Sequence, residues 1–443
     1  MLRAFRDAFQ IPELRGKFIV TLILLAIYRL GSALPTPGVN ASELSDKLNS
    51  GGAGGVLNTL GLISGGSLST FSIFALGVLP YITASIVMQI LTTAVPALEK
   101  LQKEGQEGSR RINQYTRYAA IGLGAVQALF FATLILNQGV LRPGWGSNLP
   151  LFYLTVVATQ VAGVAFTMWL GERITEYGIG NGASLIIFAG IVTRFPTEIA
   201  QTLTLMNTGQ VQLLQVLGFF LMVIAVIAGI VLIQQGERRI PVQYARKVVG
   251  KSVTGGQASY IPMKINTAGV IPIIFSGAIL QLLQLLPQAF PNSEIVRQIS
   301  NTLSTRTWSG LLVEVLFIIG FTYFYTIINF DPKRIAENLR EYGGFIPGVR
   351  PGQATQDHLD RISTRITFWG AMFLGALAII PSIVQNFTGV TTFPLAGTTL
   401  LIVVGVALDT LRQIESQLSL RNYDGFIKKG RIRGRTPVDG PVS

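Results

Sequence analysis

The chain has 443 residues, of which 49% are apolar and 13% charged, whereas about 25% of residues are charged in an ordinary soluble domain. Because so few charges leave long uncharged tracts, we predict an all-α integral membrane protein. The chain contains no cysteine, which excludes disulfides and thiol catalysis. Its single histidine leaves too few ligands for a histidine-based zinc site and argues against a catalytic triad. We therefore expect neither an enzyme nor a cofactor.

The N-terminal residues 1–17 predict a cytoplasmic amphipathic segment, because Leu2, Phe5 and Phe9 share one helix face. Uncharged apolar runs then predict ten transmembrane helices, since about 20 apolar residues cross a bilayer. These spans are 18–34, 71–95, 116–136, 150–170, 183–202, 211–235, 265–288, 310–330, 366–387 and 391–408. Residues 411–443 follow as a basic cytoplasmic tail. Nearly all Lys and Arg residues fall on the side of the N-terminus, which predicts that both termini are cytoplasmic.

Ten spans divide into two halves of five, 18–205 and 206–410, and an odd number of spans per half requires inverted topology. A short self-match supports this division, although chance alone can produce it in such apolar sequence. The segment 77–82 in span two recurs as 269–274 in span seven. Each copy contains a proline, Pro80 or Pro272, and we expect each to distort its helix near the functional pathway.

A glycine-flanked segment, about 54–66, lies between the first two spans. Its apolar centre is too short to cross a bilayer, and glycines on both sides permit hinging. We interpret it as a re-entrant element rather than a glycine-rich surface loop. Its apolar centre comprises Val56, Leu57, Asn58, Leu60, Leu62 and Ile63.

Two large loops, about 236–264 and 331–365, are predicted to lie on the cytoplasmic side and are rich in charged residues. The first has six basic residues against Glu237 alone, and the second holds Arg350 between two prolines that restrict its tip. We predict a docking surface for an anionic partner, the alternative being charge that only sets topology. The docking residues predicted are Arg238, Arg239, Arg246, Lys247 and Arg350.

The glycine-rich run 178–182 lacks the spacing of a phosphate-binding loop and follows no predicted strand. We interpret it as a turn, with Asn181 or Ser184 capping the fifth span.

Ionisable residues are nearly absent from the predicted span interiors. Arg29, Glu314 and Asp409 lie near span ends, where none is placed as a proton relay at mid-membrane. This favours a conduit gated by apolar side chains, yet a sodium site of carbonyls and hydroxyls would leave no charge signal. Three functions stay open: a channel, a secondary transporter for a small solute, and a membrane assembly factor without an aqueous pore.

Beyond these patterns, the sequence resembles the SecY/Sec61-alpha family, the channel subunits of protein translocases, over nearly its whole length. The match rests on short motifs at 28–31, 35–38, 73–77, 80–82, 110–112, 114–117, 178–182, 268–272 and 347–352. One departure is Lys251 followed by Ser252, where family members carry a basic pair.

The resemblance implies a protein-conducting channel of the bacterial plasma membrane, with ten helices in two inverted halves around a central pore. It implies a lateral gate between the second and seventh helices, with the third and eighth beside them, through which transmembrane segments pass into membrane lipid. The glycine-flanked segment matches the family's plug. The implied partners are SecE and SecG, the SecA motor, the ribosome and signal-peptide-bearing polypeptides, with no small-molecule substrate. The implied pore ring is Val78, Ile82, Ile187, Ile191, Ile274 and Ile402.

Overall fold

The structure is a computed structural model that describes most of the chain. The described residues are 11–50, 67–68, 70–146, 148–209, 211–244, 247–249, 252–254, 258–289, 293–303, 307–388 and 397–429. The amphipathic segment at 2–9, the predicted plug residues 56–63, Arg246 and the end of the basic tail lie outside them.

Helices account for most of the described residues. In the first half they are α1 (Pro12–Ser32), α2 (Ala41–Ser50), α3 (Leu79–Ala94), α4 (Pro96–Lys103), α5 (Gln106–Gln138), α6 (Leu149–Tyr177), α7 (Gly182–Val192) and α8 (Phe195–Asn207).

In the second half the helices are α9 (Leu213–Gln235), α10 (Ile271–Ala289), α11 (Glu294–Thr302), α12 (Trp308–Asn329), α13 (Pro332–Glu341), α14 (Gln353–Thr388) and α15 (Gly397–Lys429). The strands are β1 (Glu237–Tyr244), β2 (Lys247–Val249), β3 (Ser252–Thr254), β4 (Ala258–Lys264) and β5 (Gly344–Phe345).

The prediction of an all-α membrane protein is confirmed. Within the described residues, six helical stretches are long and apolar enough to cross a bilayer, and a seventh is a pair, Leu79–Ala94 with Pro96–Lys103, bent by 98°. The other predicted spans correspond to α1, α10 and the first part of α15. The six stretches are Gln106–Gln138, Leu149–Tyr177, Gly182–Asn207, Leu213–Gln235, Trp308–Glu341 and Gln353–Ile380.

The helices of spans two and seven begin later than predicted, at Leu79 and Ile271. In each repeat copy the glycine has a positive φ, +55° at Gly77 and +65° at Gly269, a conformation that glycine adopts without steric cost. The bend that each glycine makes precedes the first helical turn, so the residues upstream of it are turns rather than helix.

The expectation that Pro80 and Pro272 distort their helices is wrong. Each proline is the second residue of its helix, where its missing N–H has no partner to lose and its fixed φ suits the first turn. The first helical bonds are equivalent in the two copies: Ile82 N donates to Val78 O at 3.0 Å, and Ile274 N donates to Val270 O at 3.2 Å. The repeat is therefore a pair of matching helix starts.

Span five is also not continuous, because it divides into α7 and α8 at Thr193 and Arg194. The turn before it is as predicted: the side chain of Asn181 accepts a hydrogen bond from Ser184 N at 3.1 Å. The same turn is tied to distant helices, since Ile179 N donates to Thr21 Oγ1 and Gly180 N donates to Gln413 Oε1.

Three apolar clusters organise the helical part of the chain. One lies in the first half and centres on Phe71, Phe131 and Phe152. The second draws its buried residues from α9, α10, α12, α14 and α15. A third takes buried residues from both halves, including Leu170 from α6 and Val406 from α15. This third cluster joins the halves.

The two predicted cytoplasmic loops form one small body. Strand β1 lies between β4 and β5 in an antiparallel sheet, with Ile240 opposite Ile261 and Tyr244 opposite Gly344. Ile240 and Val242 on one face of β1 pack into a cluster with residues of α13 and α14. The first loop supplies β1 and β4, and the second supplies β5 and α13.

Candidate functional site

All six residues of the predicted pore ring lie in the cluster that joins the two halves. Val78 precedes α3 and Ile82 lies in its first turn, Ile187 and Ile191 share one face of α7, Ile274 lies in the first turn of α10, and Ile402 lies in α15. Four of the six are at most 5% exposed, while Ile82 and Ile274 are half-buried.

This arrangement makes an apolar contact from four chain segments that are far apart in the sequence. Branched aliphatic side chains pack densely and offer no hydrogen bonds to water or ions. The late helix starts described above place Val78 and Val270 just before their helices, so that Ile82 and Ile274 occupy equivalent first turns. A passing chain would have to separate these four segments.

A groove lies beside the cluster, where the resemblance places the lateral gate. It is lined by residues of α3, α10 and α12. Helix α10 contacts both α3 and α5 and packs along α12. The lining is apolar and aromatic except for Gln89. The lining residues are Ile86, Gln89, Ile90, Ile271, Pro272, Phe275, Phe321, Phe324, Tyr325 and Ile328.

On the small body formed by the two predicted cytoplasmic loops, the structure separates Arg238 from Arg239. Neighbouring residues of a strand point to opposite faces, so Arg238 lies on the face of the buried Ile240 and Arg239 on the other face. Arg239 forms an ion pair with Glu237, with Nε 2.7 Å from Oε1, and its guanidinium lies 4.9 Å from the ring centre of Tyr260. The hydrogen bond to Glu237, together with the nearby Tyr260, raises the pKa of Arg239 above its ordinary value.

Arg350 occupies an exposed tip of the same body. Its backbone is held on both sides: Val349 N donates to Ile346 O at 3.0 Å, and Thr355 Oγ1 donates to Arg350 O at 2.8 Å. Its guanidinium forms no ion pair with any part of the chain that the structure describes. Lys247 belongs to β2, which pairs with β3 apart from the sheet that carries Arg238.

One partly buried ion pair was not predicted from the sequence. Arg194 and Glu198 lie at the break between α7 and α8, with Nε 3.8 Å from Oε1 and the Glu198 side chain 7% exposed. A basic and an acidic residue four apart inside an otherwise apolar span was the available signal, because such residues face each other on a helix. The pair begins one turn beyond Ile191 of the ring.

Comparisons with known proteins agree on one family. The sequence model of the SecY family matches residues 72–411. The chain is 56% identical over 438 residues to a protein translocase subunit SecY of Thermus thermophilus, covering 98% of this chain and all of that one. A solved protein-conducting channel matches with a TM-score of 0.63 at 19% identity, and canine Sec61 from a ribosome-channel complex with 0.59 at 18%, each covering 95% of both chains.

Proposed function

The chain belongs to the SecY family, and from this premise we propose that it is the protein-conducting channel through which signal-bearing polypeptides cross the bacterial plasma membrane. It releases transmembrane segments sideways into lipid, performs no chemistry of its own and takes its energy from partners. Its halves, 18–205 and 206–410, separate to admit the polypeptide, with both termini on the cytoplasmic side.

One observation carries this proposal beyond family membership: six branched aliphatic residues from both halves meet in a single cluster. Val78, Ile82, Ile187, Ile191, Ile274 and Ile402 act as a pore ring that closes the resting channel. An apolar constriction excludes water and ions by dewetting. Methyl groups without fixed hydrogen bonds also separate around any side chain, so the same ring accepts polypeptides of any sequence.

The small body formed by the two loops faces the cytoplasm and is the docking surface for the partner that drives translocation, which is SecA or the ribosome. The supporting observation is that the basic first loop and the second loop, in which basic and acidic residues nearly balance, join in one sheet, so that Arg238 and Arg350 lie on a single body. The excess of positive charge on the first loop steers an anionic partner towards this body. SecE and SecG complete the membrane complex.

Reconstitution tests the proposed function. Vesicles containing the purified chain with SecE and SecG should translocate a signal-bearing polypeptide when SecA and ATP are added. Uptake of a small solute driven by an ion gradient would instead identify a transporter, and insertion of membrane proteins without any secretion would identify an assembly factor. Either result contradicts the channel.

In this proposal residues 56–63 form a movable plug on the outer side of the membrane, because glycines bracket an apolar segment too short to span. We expect their deletion to raise resting ion conductance in planar bilayers while the complex still assembles, since neighbouring apolar residues partly occupy the vacated space. Deleting eight residues of the C-terminal tail, 436–443, serves as the control. A plug deletion that conducts no more than the parent chain rules the plug out.

A further inference from the structure

The residues just before the ring, 70–78, form a non-helical segment packed inside the helical bundle; we call it the stem. The apolar sequence predicts helix from residue 71 onwards, but residues 70–78 are turns apart from an isolated antiparallel β-bridge between Ser72 and Pro35. Within a membrane, non-helical backbone is tolerated only where its polar groups find partners inside the protein. The stem ends at Val78, the first residue of the ring.

Helix α6 supplies those partners, although it contributes no residue to the ring. The amide nitrogen of Gln160 donates to Ser72 O and to Thr36 Oγ1, each at 2.9 Å. The hydroxyl of Thr167 lies 3.0 Å from Gly77 O, the carbonyl immediately before Val78, and also 3.0 Å from Val164 O of its own helix, so its single proton is shared between the two acceptors. Gln160 is 1% exposed and Thr167 is fully buried.

The fit between stem and helix is close as well as polar. Gln160, Gly163 and Thr167 follow a spacing of three and four residues, which places them on one helix face. A Cβ at Gly163 would lie 2.0 Å from Ile73 O, so only glycine permits this approach of the two backbones. The α6 face is therefore shaped to the stem along its length.

Helix α1 holds the stem from another side. The ring of Phe74 stacks on Tyr28 of α1 and on Phe166 of α6, with centroids 5.8 and 5.7 Å apart. The loop after α1 adds two backbone bonds: Thr36 N donates to Phe71 O and Ile73 N donates to Leu34 O, both at 2.9 Å. The stem is thus fixed by side-chain and backbone contacts at both of its ends.

We propose that Gln160 and Thr167 are positioning residues of the pore constriction: they hold the stem backbone so that Val78 stays seated against the α7, α10 and α15 residues of the ring. This inference rests on the proposed channel function and adds to it that the seal depends on a helix outside the ring. The hydrogen bond of Thr167 to the Gly77 carbonyl acts one residue from Val78. A shift of that carbonyl moves the Val78 side chain directly.

The test compares threonines of one helix. Thr167→Val removes a hydroxyl that bonds the stem, whereas Thr159→Val removes one that bonds only Thr155 O of its own helix, at 2.7 Å. The full chain is measured in its complex with SecE and SecG. We expect Thr167→Val to raise the resting conductance in planar bilayers about fivefold, because one net hydrogen bond shifts the equilibrium between closed and open channel by about that factor. Thr159→Val should leave the conductance at the parent value, and Thr167→Ser should restore it.

Gln160→Leu gives a second, independent variant, which removes the hydrogen bond to Ser72 O of the stem and the one to Thr36 Oγ1 of the loop that pairs with the stem. It should also raise the resting conductance. A background of Val78→Ser separates positioning of the ring from general loosening of the bundle: there, Thr167→Val should add little further current. Equal currents in Thr167→Val and Thr159→Val, or an undiminished increase on the Val78→Ser background, overturn the inference. The proposed channel function has its own test: it is contradicted if the parent complex translocates no polypeptide when SecA and ATP are added.

Discussion

Replacing Ile82, Ile274 and Ile402 together with serine should raise the resting ion conductance of the channel about tenfold or more, because hydroxyl groups wet a constriction that methyl groups keep dry. The three residues come from α3, α10 and α15 and meet in one cluster. Polar groups there offer hydrogen bonds to water and lower the cost of a continuous water column. The same variant should also admit polypeptides with defective signal sequences, since less energy is needed to open a wet ring.

The control uses isoleucines that are exposed on the outside of the helices. Ile23, Ile224 and Ile327 are 54%, 67% and 73% exposed and lie in α1, α9 and α12. The same change to serine at these positions removes equal apolar volume without touching the cluster. The decisive measurement is bilayer conductance of the two triple variants at matched amounts of assembled complex. Equal currents in the two triple variants would show that the six predicted ring residues only pack helices together and do not close a pore.

Arg350→Glu should reduce SecA-driven translocation about tenfold or more, because losing a charge-assisted hydrogen bond costs roughly 1.5–3 kcal/mol before repulsion is added. The side chain is exposed on a tip whose backbone is held by bonds to Ile346 and Thr355. A guanidinium there presents planar paired donors to a carboxylate or phosphate. The measurement is the rate of translocation into vesicles, with assembly with SecE as a check on folding.

Two further variants test whether the loss of translocation depends on the guanidinium group and on its position. Arg350→Lys keeps the charge but loses the planar donor pair, so an intermediate rate indicates bidentate recognition. Arg361→Glu makes the same change of charge on α14 of the same body and should retain most of the rate. Full translocation by Arg350→Glu would remove Arg350 from the docking surface.

The spans were predictable because hydropathy depends only on neighbouring residues. A run of about 20 apolar residues must leave water wherever it lies in the chain, and α5, α6, α9, α12 and α14 follow from this alone. The turn at 178–182 and its Asn181 cap were predictable for a similar reason, since a cap acts within three residues. The family motifs then supplied the candidate ring.

Local pattern was a poor guide where helices begin or break. Residues 71–78 are as apolar as a span, yet they form the stem, since α6 offers hydrogen-bond partners and a glycine that fit non-helical backbone. For the stem, a partner distant in sequence thus changes which backbone conformation costs least.

By itself, then, the sequence determined that the chain is a helical membrane protein, where most of its spans lie and which family it resembles, because these depend on local apolarity and on short motifs. Only the tertiary structure decided that the six predicted ring residues from four segments meet, that β5 of one predicted cytoplasmic loop pairs with β1 of the other, and that α6 makes hydrogen bonds to the stem. These features are contacts between segments tens to hundreds of residues apart. Packing of the whole bundle selects them, and no window of sequence contains both partners.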